Sequence, residues 1–412
     1  MTMVENKDKK VLNVPNLRFP EFEGEWEKCM ASDLLEFYST NSLSWDKLEY
    51  DTDAIQNLHY GLIHVGLPIM VDLNKDKLPN IMDGNTPKNY ELCQEGDVAF
   101  ADASEDTNEV AKVVEFYNLG EKKVICGLHT IHGRDRQGKT VVGYKGYAFS
   151  STTFHHQIRK IAQGTKIYSI SCKNFSECYV GIPSKGEQTK IVTLLRMIDE
   201  RISTQNKIID KLQSLIKGIS NRLLYADNSM SIRIEEMLIE RSERTKKNNQ
   251  YEVLSSTVNG IFSQRDYFSK DIASDNNVGY KIIHLHDIVL SPQNLWMGNI
   301  NFNDKFDIGI VSPSYKVFSI ADGFDKKYVA ALLKTHHALY NYMLVSEQGA
   351  SIVRRNLNYE AFEQLVFKIP SLNKQREIGH AISLLKSRLE NANLLIKTYN
   401  SQKRYLLRQM FI

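Results

Sequence analysis

The chain has 412 residues, of which 42% are hydrophobic and 25% are charged, and its net charge is +3. This length suggests two or three domains with sizeable cores, and the small net charge excludes a globally basic DNA-binding protein, so any nucleic-acid surface must be a local patch. No apolar run approaches the roughly 18 residues of a membrane span, and the five cysteines lack paired spacing, which favours free thiols. We therefore expect a soluble, cytoplasmic protein.

The first part of the chain divides into a polar segment, residues 1–15, which we expect to be flexible, and a globular region, residues 16–183. In the globular region, short apolar runs alternate with Gly, Pro and Asn-Asp turn signals, a pattern typical of strands. We predict strands at 60–65, 67–70, 97–100, 110–116, 123–126, 140–149 and 166–170, and helices at 31–38 and 153–163.

A basic stretch lies within this region, because residues 121–166 carry nine basic and two acidic side chains. Arg and Lys can bind guanine edges or phosphates, and Gln can pair with adenine. An ordinary solvated loop is the alternative interpretation. The stretch predicts DNA contacts by His129, Arg134, Arg136, Gln137, Lys139 and Lys145.

Three side chains in the same stretch, Cys126, His129 and His132, have the spacing of metal ligands. A structural zinc site needs four convergent ligands, which commonly come from CxxC pairs. The chain has no such pair, so we predict no metal site.

Four carboxylates, Asp97, Asp102, Glu105 and Asp106, resemble the metal-binding acids of a nuclease. A lysine at the right spacing on an adjoining strand is not evident, so we interpret the four as turn and surface residues. The chain also has no GxxxxGK[ST] phosphate loop, no GxGxxG after a strand, and no Asn-Pro-Pro-aromatic motif of base methylation. We therefore predict no catalytic residue in this chain.

A long helix is predicted over residues 184–225, because apolar residues recur there at alternating spacings of four and three. This is the a/d pattern of a helix that packs on another helix, and the 38 residues from 187 to 224 would make a rod of roughly 55 Å. Gln205 interrupts the row, either to specify the register or as a half-exposed side chain. The predicted packing residues are Ile191, Leu195, Ile198, Ile202, Ile209, Leu212 and Ile216.

A second globular region follows at residues 226–370. Its pattern predicts strands at 251–258, 280–290, 298–302 and 308–320, and helices at 234–241 and 325–344. Its polar and basic clusters are again candidate DNA contacts: Arg241, Arg244, Lys246, Lys247, Gln293, Asn294, Arg354, Arg355 and Asn356.

A second long helix is predicted over residues 371–412, and its apolar row repeats the first with an offset of 187 residues. The junction Ile182-Pro183-Ser184 recurs as Ile369-Pro370-Ser371, and Gln188 recurs as Gln375. An offset held over this length is an internal repeat. We expect a mixed α+β fold in which two globular regions alternate with two long helices that form an antiparallel coiled coil with a pseudo-two-fold axis. The second row contains Ile378, Ile382, Leu385, Leu389, Ile396 and Leu406.

This organisation, together with the phrases GDVAFADASED at residues 96–106 and GIVSPSY at residues 309–315, resembles the DNA-specificity subunits of type I restriction–modification systems. The helical repeat is the most specific feature of the resemblance, which extends over the whole chain.

The resemblance implies two target-recognition domains, each reading one half of an asymmetric, bipartite site in double-stranded DNA. The helices would dock two methyltransferase subunits, and two motor-nuclease subunits would join them. The chain itself would be non-catalytic and would hold no cofactor, since S-adenosylmethionine, ATP and Mg²⁺ would bind to the partner subunits.

Two other classes remain open from the sequence. A standalone DNA-modifying or DNA-cleaving enzyme would need a site that the motifs above do not reveal. A coiled-coil scaffold without a DNA role would have no use for the basic stretch.

Overall fold

The computed structural model describes residues 12–223, 230–267, 276–348 and 355–412. Helices and strands are mixed throughout, and the two longest helices stand where the apolar rows predict them, so the predicted fold class is confirmed. The chain forms two compact units. The first unit comprises Met1–Thr204 and Ile396–Ile412, and the second comprises Gln205–Leu395.

The first unit contains two larger sheets. The five-stranded sheet has the order Glu36–Tyr38, Thr130–Arg134, Val98–Ala101, Val113–Asn118 and Met70–Asp72, and the four-stranded sheet has the order Val124–Cys126, Gln56–Leu58, Asn80–Ile81 and Leu48–Glu49. Two short pairs join Glu27–Met30 to Tyr179–Ile182 and Ala103–Ser104 to Tyr168–Ser169. Its helices before the long one are Ala31–Leu34, Trp45–Lys47 (3-10), Tyr60–His64, Tyr144–Phe149, Thr152–Ile161 and Cys172–Ser176.

The second unit has one four-stranded sheet, in the order Leu238–Glu240, Lys316–Ile320, Ile288–Leu290 and Ile300–Phe302. The described residues of this unit also form four strand pairs: Met230–Arg233 with Val366–Ile369, Leu254–Thr257 with Gly260–Ser263, Lys281–His284 with Ile308–Val311, and Ser346–Gln348 with Arg355–Leu357. Its short helices are Ile234–Met237, Gln264–Tyr267, Leu295–Met297 (3-10), Lys326–Leu332, His336–Leu344 and Tyr359–Glu363.

The two long helices span Lys185–Leu223 and Leu372–Gln409. Each member of the two predicted packing rows is buried or half-buried, whereas most intervening positions are exposed. In the second unit, Ile219 of the first helix packs on the cluster that contains Ile378 and Ile382 of the second.

The two helices run antiparallel where they meet in the first unit. Asp199 accepts a hydrogen bond from Lys403, and the Arg201 guanidinium lies 6.0 Å from the ring centroid of Tyr399. Residue numbers therefore rise along one helix as they fall along the other. Leu406, Leu407, Met410 and Phe411 complete the apolar core of this unit.

Both units use the same frame around the Ile-Pro junction. An opening strand, Glu27–Met30 or Met230–Arg233, pairs antiparallel with a closing strand that ends at Ile182 or Ile369. A short helix follows each opening strand, and a long helix follows each closing strand. The chain therefore leaves and re-enters each frame at adjacent points.

Gln188 fixes the first junction with its side-chain amide. The amide donates to the carbonyl oxygens of Pro183, at 2.9 Å, and of Lys139, at 3.1 Å, and accepts from the backbone N–H of Val141 at 2.8 Å. The side chain is fully buried, and the backbone groups that it pairs with are buried or half-buried.

Gln375 makes the equivalent contacts in the second unit. Its amide donates to the carbonyl of Pro370 at 2.9 Å and accepts from the backbone N–H of Asp325 at 3.1 Å. The repeat seen in the sequence is therefore a repeat of hydrogen bonding as well as of packing.

We expect Gln375→Ala to lower the free energy of unfolding by about 1–3 kcal/mol, because it leaves the buried carbonyl of Pro370 and the half-buried N–H of Asp325 without partners. Gln213→Ala, at an exposed position of the first long helix, is the matched control and should change stability by less than about 0.5 kcal/mol. Urea unfolding of both variants measures the difference. Equal stabilities would show that the junction amide is dispensable.

Several local predictions are wrong. Residues 60–65 and 140–149 do not form strands, because Tyr60–His64 and Tyr144–Phe149 are helices. All six residues of the second helix are buried, so no amphipathic period marks it. The predicted helices at 31–38 and 234–241 each end after four residues and continue as strands.

The helix predicted over residues 325–344 is interrupted. It divides into Lys326–Leu332 and His336–Leu344, and the Thr335 hydroxyl caps the second helix by accepting a hydrogen bond from the Ala338 N–H.

Among the residues that the structure describes, none of the helices combines the length and the apolar content that crossing a membrane requires.

Candidate nucleic-acid interface

Arg134 lies inside the first unit and not on its surface. Its guanidinium donates to both carboxylate oxygens of Asp97, at 2.9 and 2.8 Å, to Glu91 at 2.6 Å and to the carbonyl of Leu92 at 2.8 Å. The side chain is 9% exposed. We therefore correct its predicted role: Arg134 holds the segment before strand Val98–Ala101 in place.

Lys145 needs the same correction. Its ammonium group donates to Thr140 at 2.8 Å and lies 3.3 Å from the Glu115 carboxylate, and its side chain is 4% exposed. The Glu115 carboxylate also accepts hydrogen bonds from the backbone N–H groups of Gly143 and Gly146. This pair neutralises itself in the interior and offers no charge to DNA.

The other basic residues of the stretch remain accessible. Arg136 is 60% exposed and contacts Glu36 and the Tyr38 hydroxyl, and Gln137 is exposed. Lys139 is half-buried beside Glu27, with 2.8 Å between the ammonium nitrogen and the carboxylate oxygen. Because acids from elsewhere in the unit accompany the cations, the patch is less positive than its local composition indicates.

His129 belongs to an aromatic surface that the sequence did not indicate. Trp45 is 45% exposed, and its ring centroid lies 4.5 Å from the ring centroid of His59. The His59 centroid lies 4.7 Å from the ring centroid of Tyr60. The ring centroids of Tyr60 and His129 are 5.2 Å apart. Nδ1 of His129 also lies 3.1 Å from a carboxylate oxygen of Asp102. His59 itself is buried, but the exposed rings of Trp45 and His129 can stack on bases, so they extend the candidate interface. The available signal was a Trp in a predominantly polar stretch, residues 39–53.

In the second unit, the structure brings two predicted clusters together although about 60 residues separate them. The backbone N–H of Arg355 donates to the carbonyl of Gln293 at 3.2 Å. The Arg355 guanidinium lies 4.6 Å from the ring centroid of Trp296. Gln293 and Asn356 are exposed beside them, and Asn294 is half-buried. Arg354 lies outside the described residues.

We expect Arg355→Ala to weaken DNA binding about tenfold, because a guanidinium contact to a base or phosphate contributes roughly 1–3 kcal/mol. The control is Arg233→Ala, an exposed cation on the opening strand. Fluorescence anisotropy at several salt concentrations measures affinity and salt slope, and the slope should fall by about one. Unchanged values for Arg355→Ala would place this cluster outside the interface.

The remaining predicted cations follow strand Leu238–Glu240. Arg241 contacts Asp287 at 3.0 Å, and Arg244 donates to the carbonyl of Gly279 at 2.8 Å. Lys246 and Lys247 are exposed. The two lysines stay candidates for phosphate contacts, which need charge but little geometric precision.

Two adjoining clefts in the second unit form a basic groove that the sequence did not indicate. The clefts have volumes of about 350 and 440 Å³ and share His286, Phe302 and Lys327. Such a groove suits a phosphate backbone, although acids also line it. Its other cations are Lys305, Lys326, Arg376 and Lys386.

Comparison with family models finds no match for the sequence, and none of the curated proteins matches it either. The structure, however, is similar to the crystal structure of the S subunit of a type I restriction–modification system from M. genitalium. The two share 13% sequence identity at a TM-score of 0.60, over 97% of this chain and 99% of that chain. The chain has the fold of a type I specificity subunit.

A second solved structure supports this assignment. It is a chain of a type I restriction–modification system studied for its complex assembly and conformational transition, with 11% identity and a TM-score of 0.51 over 93% of this chain and 96% of that chain. The fold expected from the sequence resemblance is therefore confirmed.

Proposed function

We propose that this chain is the DNA-specificity subunit of a type I restriction–modification complex. The observation that carries the proposal is the specificity-subunit fold, which extends over nearly the whole chain. The repeated frame around Pro183 and Pro370 supports it, since two equivalent units suit a target with two halves.

In this proposal, each globular region reads one half-site and the long helices dock the methyltransferase subunits. The globules differ in sequence outside their junctions, so the half-sites should differ as well. In the first globule, the accessible candidate contacts are His129, Arg136, Gln137 and Lys139. The second similar structure comes from work on an assembled type I system, which agrees with a chain that acts among partner subunits.

The chain supplies recognition and no chemistry of its own in this proposal. The motifs for phosphate binding and base methylation are missing from the sequence. S-adenosylmethionine, ATP and Mg²⁺ would belong to the methyltransferase and motor-nuclease subunits.

Methylation-site sequencing tests the proposal. The methyltransferase partner is expressed with and without this chain in a host that lacks type I methylation. A bipartite methylated motif should appear only when the chain is present. Absence of a new motif would refute the proposal, and methyl transfer or cleavage by the purified chain alone would favour the standalone enzyme.

A further inference from the structure

Three side chains with metal-binding atoms converge in the interior of the first unit. The sulfur atoms of Cys93 and Cys126 are 3.6 Å apart, and both lie within 4.8 Å of a ring nitrogen of His132. The exposed fractions are 7% for Cys93, 3% for Cys126 and 0% for His132. Cys126 and His132 lie on consecutive strands, six residues apart, whereas Cys93 comes from an earlier segment. The backbone N–H of Cys93 donates to the carbonyl of Val124, two residues before Cys126.

A second, independent observation concerns the ring of His132. Its Nε2 is 2.8 Å from the Asp97 carboxylate, whereas its buried Nδ1 has no hydrogen-bond partner. An unpaired polar atom in the interior costs free energy, so it points to a group that the protein chain does not supply. Asp97 is itself held by Arg134, which fixes the orientation of the imidazole.

We propose that Cys93, Cys126 and Nδ1 of His132 bind a zinc ion. Zinc prefers thiolate and imidazole ligands, and tetrahedral bonds of about 2.3 Å to sulfur place two sulfur atoms roughly 3.8 Å apart, close to the observed 3.6 Å. A carboxylate that accepts from the second nitrogen of a ligating histidine is the usual support of such a site.

The charges of this site balance in the interior. Each cysteine loses its proton on binding, and the two thiolates neutralise the charge of Zn²⁺. The carboxylate of Asp97 is already paired with Arg134, so the core acquires no net charge. Binding releases the two thiol protons, and affinity therefore rises with pH. The cluster supplies three protein ligands, so a solvent molecule would take the fourth position of a tetrahedral ion.

The same residues also resemble a catalytic triad, in which a cysteine is the nucleophile, His132 is its base and Asp97 orients the base. A nucleophile must reach a substrate, however, and Cys126 lies in an apolar cluster with Leu58 and Val124. Burial therefore favours an ion held in the interior over a nucleophile. The ion would join the strands on both sides of the turn that carries His129, whose backbone has a left-handed φ of 54°.

The test uses the full-length chain purified with a phosphine reductant and dialysed against Zn²⁺. Elemental analysis should find about one zinc per chain. Replacement by Co²⁺ should give the near-ultraviolet absorption of cobalt–thiolate bonds. Cys93→Ser and Cys126→Ser should lose both signals, and Cys172→Ser should keep both, because Cys172 is exposed and lies outside the cluster.

The wild-type spectrum decides the matter if the serine variants do not fold. Wild-type protein that retains no zinc and shows no cobalt–thiolate absorption would overturn the proposal. So would a bridge between Cys93 and Cys126 that persists under the reductant, since a disulfide brings the sulfurs to about 2.05 Å and removes both ligands.

Discussion

Replacing Arg134 by Ala is expected to lower the free energy of unfolding of the first unit by about 3–5 kcal/mol. The reason is that Asp97, which is 1% exposed, would keep its negative charge without the guanidinium that neutralises it. The variant also releases Glu91 and the carbonyl of Leu92, so the segment that carries Cys93 loses its anchor.

The first unit can be observed by itself in a Trp296→Phe background, because the two remaining tryptophans, Trp26 and Trp45, both lie in that unit. Urea unfolding followed by tryptophan fluorescence then gives the stability of Arg134→Ala. Arg136→Ala is the matched control, two residues away and 60% exposed, and it should change stability by less than about 0.5 kcal/mol. If Arg134→Ala left stability intact and weakened DNA binding, Arg134 would be a DNA contact as its sequence context predicts.

The pH dependence of this variant follows from Asp97. Burial alone would raise the pKa of the carboxyl, but hydrogen bonds from His132 and Arg134 outweigh burial and lower it. A lowered folded-state pKa stabilises the protein above the unfolded value of about 3.9, and the contribution is lost as the pH falls through the folded value. The stability difference between wild type and Arg134→Ala should therefore shrink below about pH 4.

Exchange of residues 226–370 for the matching globule of another specificity subunit is expected to change one half of the methylated motif and leave the other half intact. This prediction rests on the proposed function. Its structural basis is that the opening strand, Met230–Arg233, pairs with the closing strand, Val366–Ile369, so both ends of the globule lie side by side. A foreign globule can then attach without moving the residues that flank it.

Methylation-site sequencing of the chimaeric complex measures the outcome. The reciprocal exchange of residues 16–183 is the control, and it should change the other half of the motif. Alteration of both halves by a single exchange would mean that the globules do not read DNA independently.

The long helices could be predicted because the spacing of their apolar residues follows directly from the packing of one helix on another. The sequence placed them at 184–225 and 371–412, and the structure has them at Lys185–Leu223 and Leu372–Gln409. Residues 144–149 could not be assigned in the same way, because a helix buried on all sides leaves no period to detect. The short helix at Tyr60–His64 depends on a contact that composition does not show, the N–H of Gly61 donating to the ring of His59.

The candidate site was harder to predict than the fold. Charge in a sequence does not reveal its partners, so Arg134 and the exposed Arg136 looked equivalent. Similarly, the spacing of Cys126, His129 and His132 suggested one ligand set, whereas the fold replaces His129 with Cys93, which lies 33 residues from Cys126. The pairing of Arg355 with Trp296 likewise depends on the turn around Gln293.

The first unit is built from two separate segments of the chain, and this arrangement determines the order in which the chain can fold during synthesis. Nascent domains generally fold as they emerge, the N-terminal one first. Here Trp26 and Tyr144 pack against Phe411, and the backbone N–H of Leu17 donates to the carbonyl of Gln409. The core of the first unit therefore stays incomplete until the ribosome has translated the second. The second unit can therefore finish folding before the first. Part of the apolar surface of the first unit stays exposed until residues 396–412 have been synthesised.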